Sequence, residues 1–188
     1  MFLSTTVTMK LGIFTTIVAL STSLVSASTL EERGKCPYIS KREASDFIDA
    51  TVKLWRKEGT SADHRALVEQ YYAEDYKFYS YSMLSSLGRP IDEAGLAFSS
   101  RAELVAAIRR FPAFPDFKTL DYFVQCDKIV HYFRHRMVGG EKHPVQGWVM
   151  YTVGETKDGL KAKKQEVEFN SVEFGRILGG EYDSPEGW

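Results

Sequence analysis

Apolar positions recur at helical spacing in the first half of the chain and alternate at strand spacing in the second. From Ser40 to Glu58 the residues Phe47, Ile48, Val52, Leu54 and Trp55 share one helical face, and Gly59 closes the run. Ser40 and Glu43 stand three apart at its start, the spacing of a capping box. A shorter helix is predicted over 63–72, with Leu67, Val68, Tyr71 and Tyr72 inward. A strand is predicted over 76–81, and a third helix from Ser100, also opened by a box with Glu103 and stopped by Pro112. After Pro115 the period changes to two. Strands are predicted over 117–125, 129–138, 145–153 and 163–174, with a fifth over 176–182.

Helices first and hairpin-linked strands later imply an α+β fold: a curved antiparallel sheet packed on three N-terminal helices. The connection at 82–99 is long for a compact domain. It carries Met83, Leu84, Leu87, Ile91, Leu96 and Phe98, so it is expected to be a lid hinged at Gly88 and Gly95.

The first 27 residues differ from the rest. Lys10 is the only charge before Glu31, an apolar run spans Leu11 to Leu20, and small residues follow to Ala27. That is the pattern of a secretory signal cleaved after Ala27, and the run is short for a membrane span of roughly 20 residues. The expected organisation is a signal at 1–27, an extension at 28–39, the domain at 40–183 and a tail at 184–188. The expected location is extracellular, with no stable membrane insertion once the signal is removed. An oxidising route permits a bridge between the two cysteines, Cys36 and Cys126.

The net charge of −1 does not indicate a nucleic-acid-binding surface. No Gly-rich phosphate loop or G-x-S-x-G elbow is present, so the usual nucleotide and serine-hydrolase motifs are missing. Two cysteines and four scattered histidines give no zinc pattern; no metal and no cofactor are expected. The 12 Phe, 10 Tyr and 3 Trp are enough to build a core or line a cavity.

Several stretches carry a family resemblance. Tyr71 to Phe78 runs from a helix through an acidic turn into a strand. Ser100 to Phe111 precedes the Phe114-Pro115-Asp116 entry to the main sheet, Asp127 to Val130 forms a hairpin, and Phe174 to Ile177 a late turn. In this order they resemble the SnoaL-like branch of the nuclear transport factor 2-like superfamily. The resemblance implies a cone whose open end is a pocket for a small apolar molecule, and a homodimer through the sheet is a further expectation. The family holds cyclases, dehydratases and isomerases as well as non-catalytic binding modules, and fold alone does not choose between an enzyme and a binding module.

The segment 129–137 is richest in candidate chemistry. Alternation puts Ile129, His131, Phe133, His135 and Met137 on one face, with Arg134 and Arg136 on the other. The first face is the more apolar and is expected to point inward. Histidines in a dry pocket can exchange protons near neutral pH. His131, His135 and Asp75 are therefore the candidate catalytic groups, Asp75 standing at the helix-to-strand turn. Trp55, Tyr79, Phe133, Met137, Asn170 and Arg134 are the candidate ligand-binding residues. Arg134 matches the arginine of epoxide-hydrolase relatives. Arg136, two places on, stands where that mechanism needs an acid, which argues against it. If the arginines instead faced inward, an anionic ligand would be expected.

Overall fold

The computed structural model describes residues 39–91, 94–136 and 144–181. The expected signal, Cys36, Met137 and the tail lie outside the described residues. Helix α1 spans Lys41–Arg56 and α2 Ser61–Tyr71, followed directly by strand β1, Tyr72–Tyr79. Helix α3, Tyr81–Ser86, and the short strand β2, Leu96–Phe98, precede α4, Arg101–Arg110. Strands β3, Lys118–Gln125, β4, Lys128–His135, β5, Val145–Thr156, and β6, Gly159–Phe169, follow, then helix α5, Ser171–Ile177.

The helices begin where side chains can satisfy open backbone amides. Ser40 and Glu43 form a reciprocal capping box, and so do Thr60 and Asp63, which start α2 two residues earlier than its apolar pattern suggests. Ser100 caps α4, but Glu103 reaches back to the amide of Ser99 rather than that of Ser100.

The fold is α+β, with one curved six-stranded sheet in the order β2-β1-β6-β5-β4-β3. Every neighbouring pair is antiparallel except β1 and β6, which run parallel, so the sheet is mixed. In that pair Tyr72 faces Ala162 while Lys77 faces Lys164. Six residues of β1 thus oppose three of β6, and the bulge turns Tyr72, Ala73 and Tyr76 inward and leaves Glu74 and Asp75 outside.

Some expected elements differ. The expected fourth strand ends at Phe169 rather than at 174, because Asn170 accepts a hydrogen bond from the amide of Glu173 and starts α5, which takes in 176 and 177 of the expected fifth strand, while 178–181 form no strand. The connection at 82–99 contains α3 and β2. Glu168 holds the start of α3 by accepting hydrogen bonds from the amides of Tyr81 and Ser82 and from the Ser82 hydroxyl, while Met83 and Leu84 are buried. These ties hold the start of the connection, which is expected to be a hinged lid, against the core.

The core lies between the inner sheet face and the helices, and the last turn of α1 anchors the entry to β3. The Arg56 guanidinium donates to the Phe117 carbonyl from Nε and Nη2 at 3.0 and 2.6 Å, and the Phe114 amide donates to the Trp55 carbonyl at 2.9 Å. Gly147 sits in β5 between Phe133 and Phe169. A Cβ there would stand 2.6 Å from Cβ of Phe169 and press on the Glu168 carbonyl. Gly147→Ala is expected to cost about 1–3 kcal/mol. Urea unfolding should show a lower midpoint with unchanged slope; an unchanged midpoint would refute this packing.

Candidate functional site

Strand β4 alternates as the sequence suggests, with Ile129, His131, Phe133 and His135 buried on the core face. Tyr132 is exposed on the other face, and Arg134 and Arg136 there are half-buried. Arg134 therefore does not reach the interior. Arg136 binds Asp116 through its own amide at 2.5 Å and lies 3.9 Å from it through Nε.

The imidazole of His135 lies in a column of aromatic rings. Trp55 stacks on Phe114 at 5.5 Å, and Phe114 on His135 at 4.4 Å. Phe117 follows at 5.7 Å from His135, nearly parallel, and Phe133 stacks on Phe117 at 5.1 Å. Phe174 meets the imidazole edge-on. These side chains surround an internal cavity of about 40 Å³, with Tyr151 and Gln165 as its polar wall. That volume holds a few water molecules.

His131 is fully buried one step deeper. Its Nε2 lies 3.1 Å from the Thr119 hydroxyl, and it does not line the cavity. Nδ1 of each histidine is buried without a hydrogen-bond partner among the described residues. Burial disfavours the imidazolium and pushes both pKa values down to about 4, the charge of Asp116 partly opposing this at His135. Both rings are thus neutral near pH 7, and His135 presents an imidazole nitrogen in an apolar site.

Behind the polar wall is a hydroxyl cluster that the sequence reading did not identify as part of a site. Thr51, Tyr72 and Tyr151 are linked by hydrogen bonds, with Thr51 also donating to the Phe47 carbonyl. Tyr76 donates to Oε1 of Gln165 at 2.5 Å, which leaves the amide NH2 as a donor at the cavity wall. Burial pushes Tyr72 up to about 12 and raises Tyr76 and Tyr151 well above their ordinary value, so all three stay protonated. Period-two burial of Tyr151 and Gln165 on neighbouring strands was the available signal, but pairing them needs the register Tyr151 to Gln165.

Of the candidate residues, Trp55, Phe133 and His135 come together at the cavity. Asp75 is exposed because the β1 bulge turns it outward, so the acid expected at the pocket mouth is not there. The carboxylate whose charge reaches His135 is Asp116, part of the Phe114-Pro115-Asp116 entry. Tyr79 is half-buried away from the cavity, under Nζ of Lys164 at 5.0 Å. Asn170 is exposed and caps α5. No group of three His, Cys, Asp or Glu side chains gathers for a metal among the described residues.

The buried imidazoles predict a pH dependence. Each folded pKa is about 4 against 6.5 for the exposed group, so the unfolded chain takes up protons first as the pH falls. Their contribution is complete above pH 6.5 and is lost between pH 6.5 and 4, on the order of 3 kcal/mol for each histidine. Urea unfolding across this window should show the fall, and His131→Leu with His135→Phe should flatten it. Equal stability of the unaltered protein at pH 7 and pH 4.5 would refute the neutral, buried state.

An NTF2-like domain matches residues 37–181. No curated protein matches the chain. Two solved structures share its fold at a TM-score of 0.50. A SnoaL-like protein of unknown function from Burkholderia thailandensis is 14% identical over 70% of this chain and 98% of its own. An NTF2-like protein of unknown function from Burkholderia pseudomallei is 15% identical over 73% and 98%. With most of its length matched and the cone formed by the same elements, this chain belongs to the NTF2-like domain family.

Proposed function

We propose that the protein is exported and binds a small, largely apolar molecule in the cone, acting on it by cofactor-free proton transfer of the isomerase or dehydratase type. One observation carries this reading: His135 lines an apolar cavity with its Nδ1 unpartnered among the described residues. A buried polar atom of this kind costs stability unless something pairs with it. A ligand hydroxyl or acidic C–H beside it would supply the missing proton donor. The Gln165 amide NH2 stands in the same wall as a donor for a developing negative charge.

The cavity is small beside the 300 Å³ or more that a ligand site usually offers. Binding therefore requires aromatic side chains to move, and the half-buried Trp55, Phe111 and Phe169 are the ones that meet solvent. A pure binding module is the second reading. It is favoured by the outward position of Asp75, which leaves one imidazole as the only His, Asp or Glu side chain among the described residues lining the cavity.

Mass spectrometry of material co-purified with the exported protein identifies the ligand. With that ligand in hand, His135→Ala should lower turnover by about 10²–10⁴ while His131→Gln changes it far less, because His131 does not reach the cavity. Ligand binding that survives with no turnover in the unaltered protein would select the binding module. Loss of neither binding nor turnover in His135→Ala would overturn the site.

The outer sheet face supports a homodimer. Tyr132 and Trp148 are a cross-strand pair, 43% and 44% exposed, and Phe123 on the same face is 61% exposed. Arg134 and Glu168 border them with opposite charge, as a two-fold contact between identical faces requires. Sedimentation equilibrium should show a dimer that Trp148→Glu converts to a monomer; a monomer at all concentrations would reject it.

A further inference from the structure

A second concavity lies between the α1–α2 turn, α2 and α4. It encloses about 330 Å³ and shares no lining residue with the aromatic cavity. Small-molecule sites usually begin at about 300 Å³. Two helical faces build it: His64, Arg65 and Val68 fall on one side of α2, and Val105, Ile108 and Arg109 on one side of α4. Val68 and Ile108 are buried and form an apolar floor, while Arg65 and Arg109 are exposed at the rim. Nε2 of His64 donates to the Glu58 carbonyl at 3.0 Å and ties the turn to α2.

A third cation, Lys57, comes from the turn. It caps α1 in the left-handed conformation, at a φ of +56°. Glycine adopts this conformation without cost and residues with a Cβ rarely do. The same turn does use glycine at position 59, with a φ of +95°, where a Cβ would stand 3.0 Å from Oδ2 of Asp63. A lysine held where glycine would be easier points to a use for its side chain, and that side chain lines the cleft.

The positive charge is not offset locally. No Asp or Glu lines the cleft among the described residues. Glu58 pairs with Arg56 at 3.3 Å, and Oδ2 of Asp63 accepts from the Thr60 amide and hydroxyl, each at 2.7 Å. Glu69 borders an adjoining hollow beside Arg65 and Arg109 without an ion pair to either. The side chains of Lys57, Arg65 and Arg109 have no ion-pair or hydrogen-bond partner among the described residues. In a chain whose net charge is −1, these cations over an apolar floor are a local attraction for an anion.

We propose that this cleft binds a small molecule that carries a phosphate monoester on an apolar body. Arg65 and Arg109 clasp the phosphate oxygens, Lys57 adds charge from the turn, and the body rests on Val68 and Ile108. A phosphate monoester brings about −1.5 to −2 charges near pH 7, which suits several cations better than a single carboxylate does. The planar fork of arginine pairs with two of its oxygens at once. The site needs neither export nor a ligand in the aromatic cavity.

Isothermal titration calorimetry of the full chain with phenyl phosphate tests the site. Saturable binding to one site per chain is expected, weakening as salt is added. Arg65→Gln with Arg109→Gln should weaken it by about 10²-fold and leave Tm unchanged, because both side chains are exposed. Arg65→Lys should lose less than Arg65→Gln. Inorganic phosphate should bind more weakly than phenyl phosphate, and benzyl alcohol should not bind. Displacement of phenyl phosphate by vesicles containing phosphatidic acid, and not by phosphatidylcholine vesicles, assigns the phosphate to a lipid headgroup; displacement by neither assigns it to a soluble ester. No saturable binding of phenyl phosphate, or equal affinity in the double variant, would overturn the site, and inorganic phosphate binding as tightly as phenyl phosphate would overturn the part given to Val68 and Ile108.

Discussion

The stacking of Phe114 on His135 is the contact on which the site depends. It holds the imidazole ring against an aromatic face at 4.4 Å and excludes the water that would stabilise its charged form. Two backbone ties from the last turn of α1 fix it: the Trp55 carbonyl holds Phe114, and the Arg56 guanidinium holds the Phe117 carbonyl. A charged side chain anchoring a backbone oxygen thereby shapes an apolar cavity some residues away. Loss of the Arg56 contact would act on His135 through the position of Phe114 and Phe117, without touching the imidazole itself.

Much of the fold was legible because local chemistry and long-range packing agree. The Ser40–Glu43 box starts α1, and the alternation of 129–135 makes β4 a strand with two histidines inward. Both signals are local: a cap reaches three residues, and a strand face is set by every second residue. The failures share the opposite property. The bulge that turns Asp75 out lies in the pairing of β1 with β6, a partner almost ninety positions later in the chain. Similarly, strands are predicted over 163–174 and 176–182, and the Asn170 cap together with the burial of Phe174 against the aromatic column decides for helix over 171–177.

The site was legible in part for the same reason. His135, Phe133 and Trp55 follow from single-element periodicity. Tyr151 and Gln165 do not, because they form one polar wall only through the β5–β6 register, and Tyr76 joins them only through the bulge. Asp116 was visible as part of the entry to the sheet. Its effect on His135 arises from the β3 entry lying beside the end of β4, where it also accepts a hydrogen bond from the Arg136 amide.

The dryness of the column sets the chemistry it can support. A neutral imidazole with a conjugate-acid pKa near 4 is a weak base, so it removes a proton effectively only from a group that is already acidic or becomes so on binding. A ligand that brings negative charge toward His135 would favour the imidazolium and raise that pKa, as Asp116 does from outside. On the proposed reading, entry of a ligand would have two linked consequences: it would part the aromatic rings that line the cavity, and it would change the field that keeps His135 neutral. On the proposed reading the oriented NH2 of Gln165 would stabilise the resulting anion, so that proton transfer would be more favourable in the filled cavity than in the closed one.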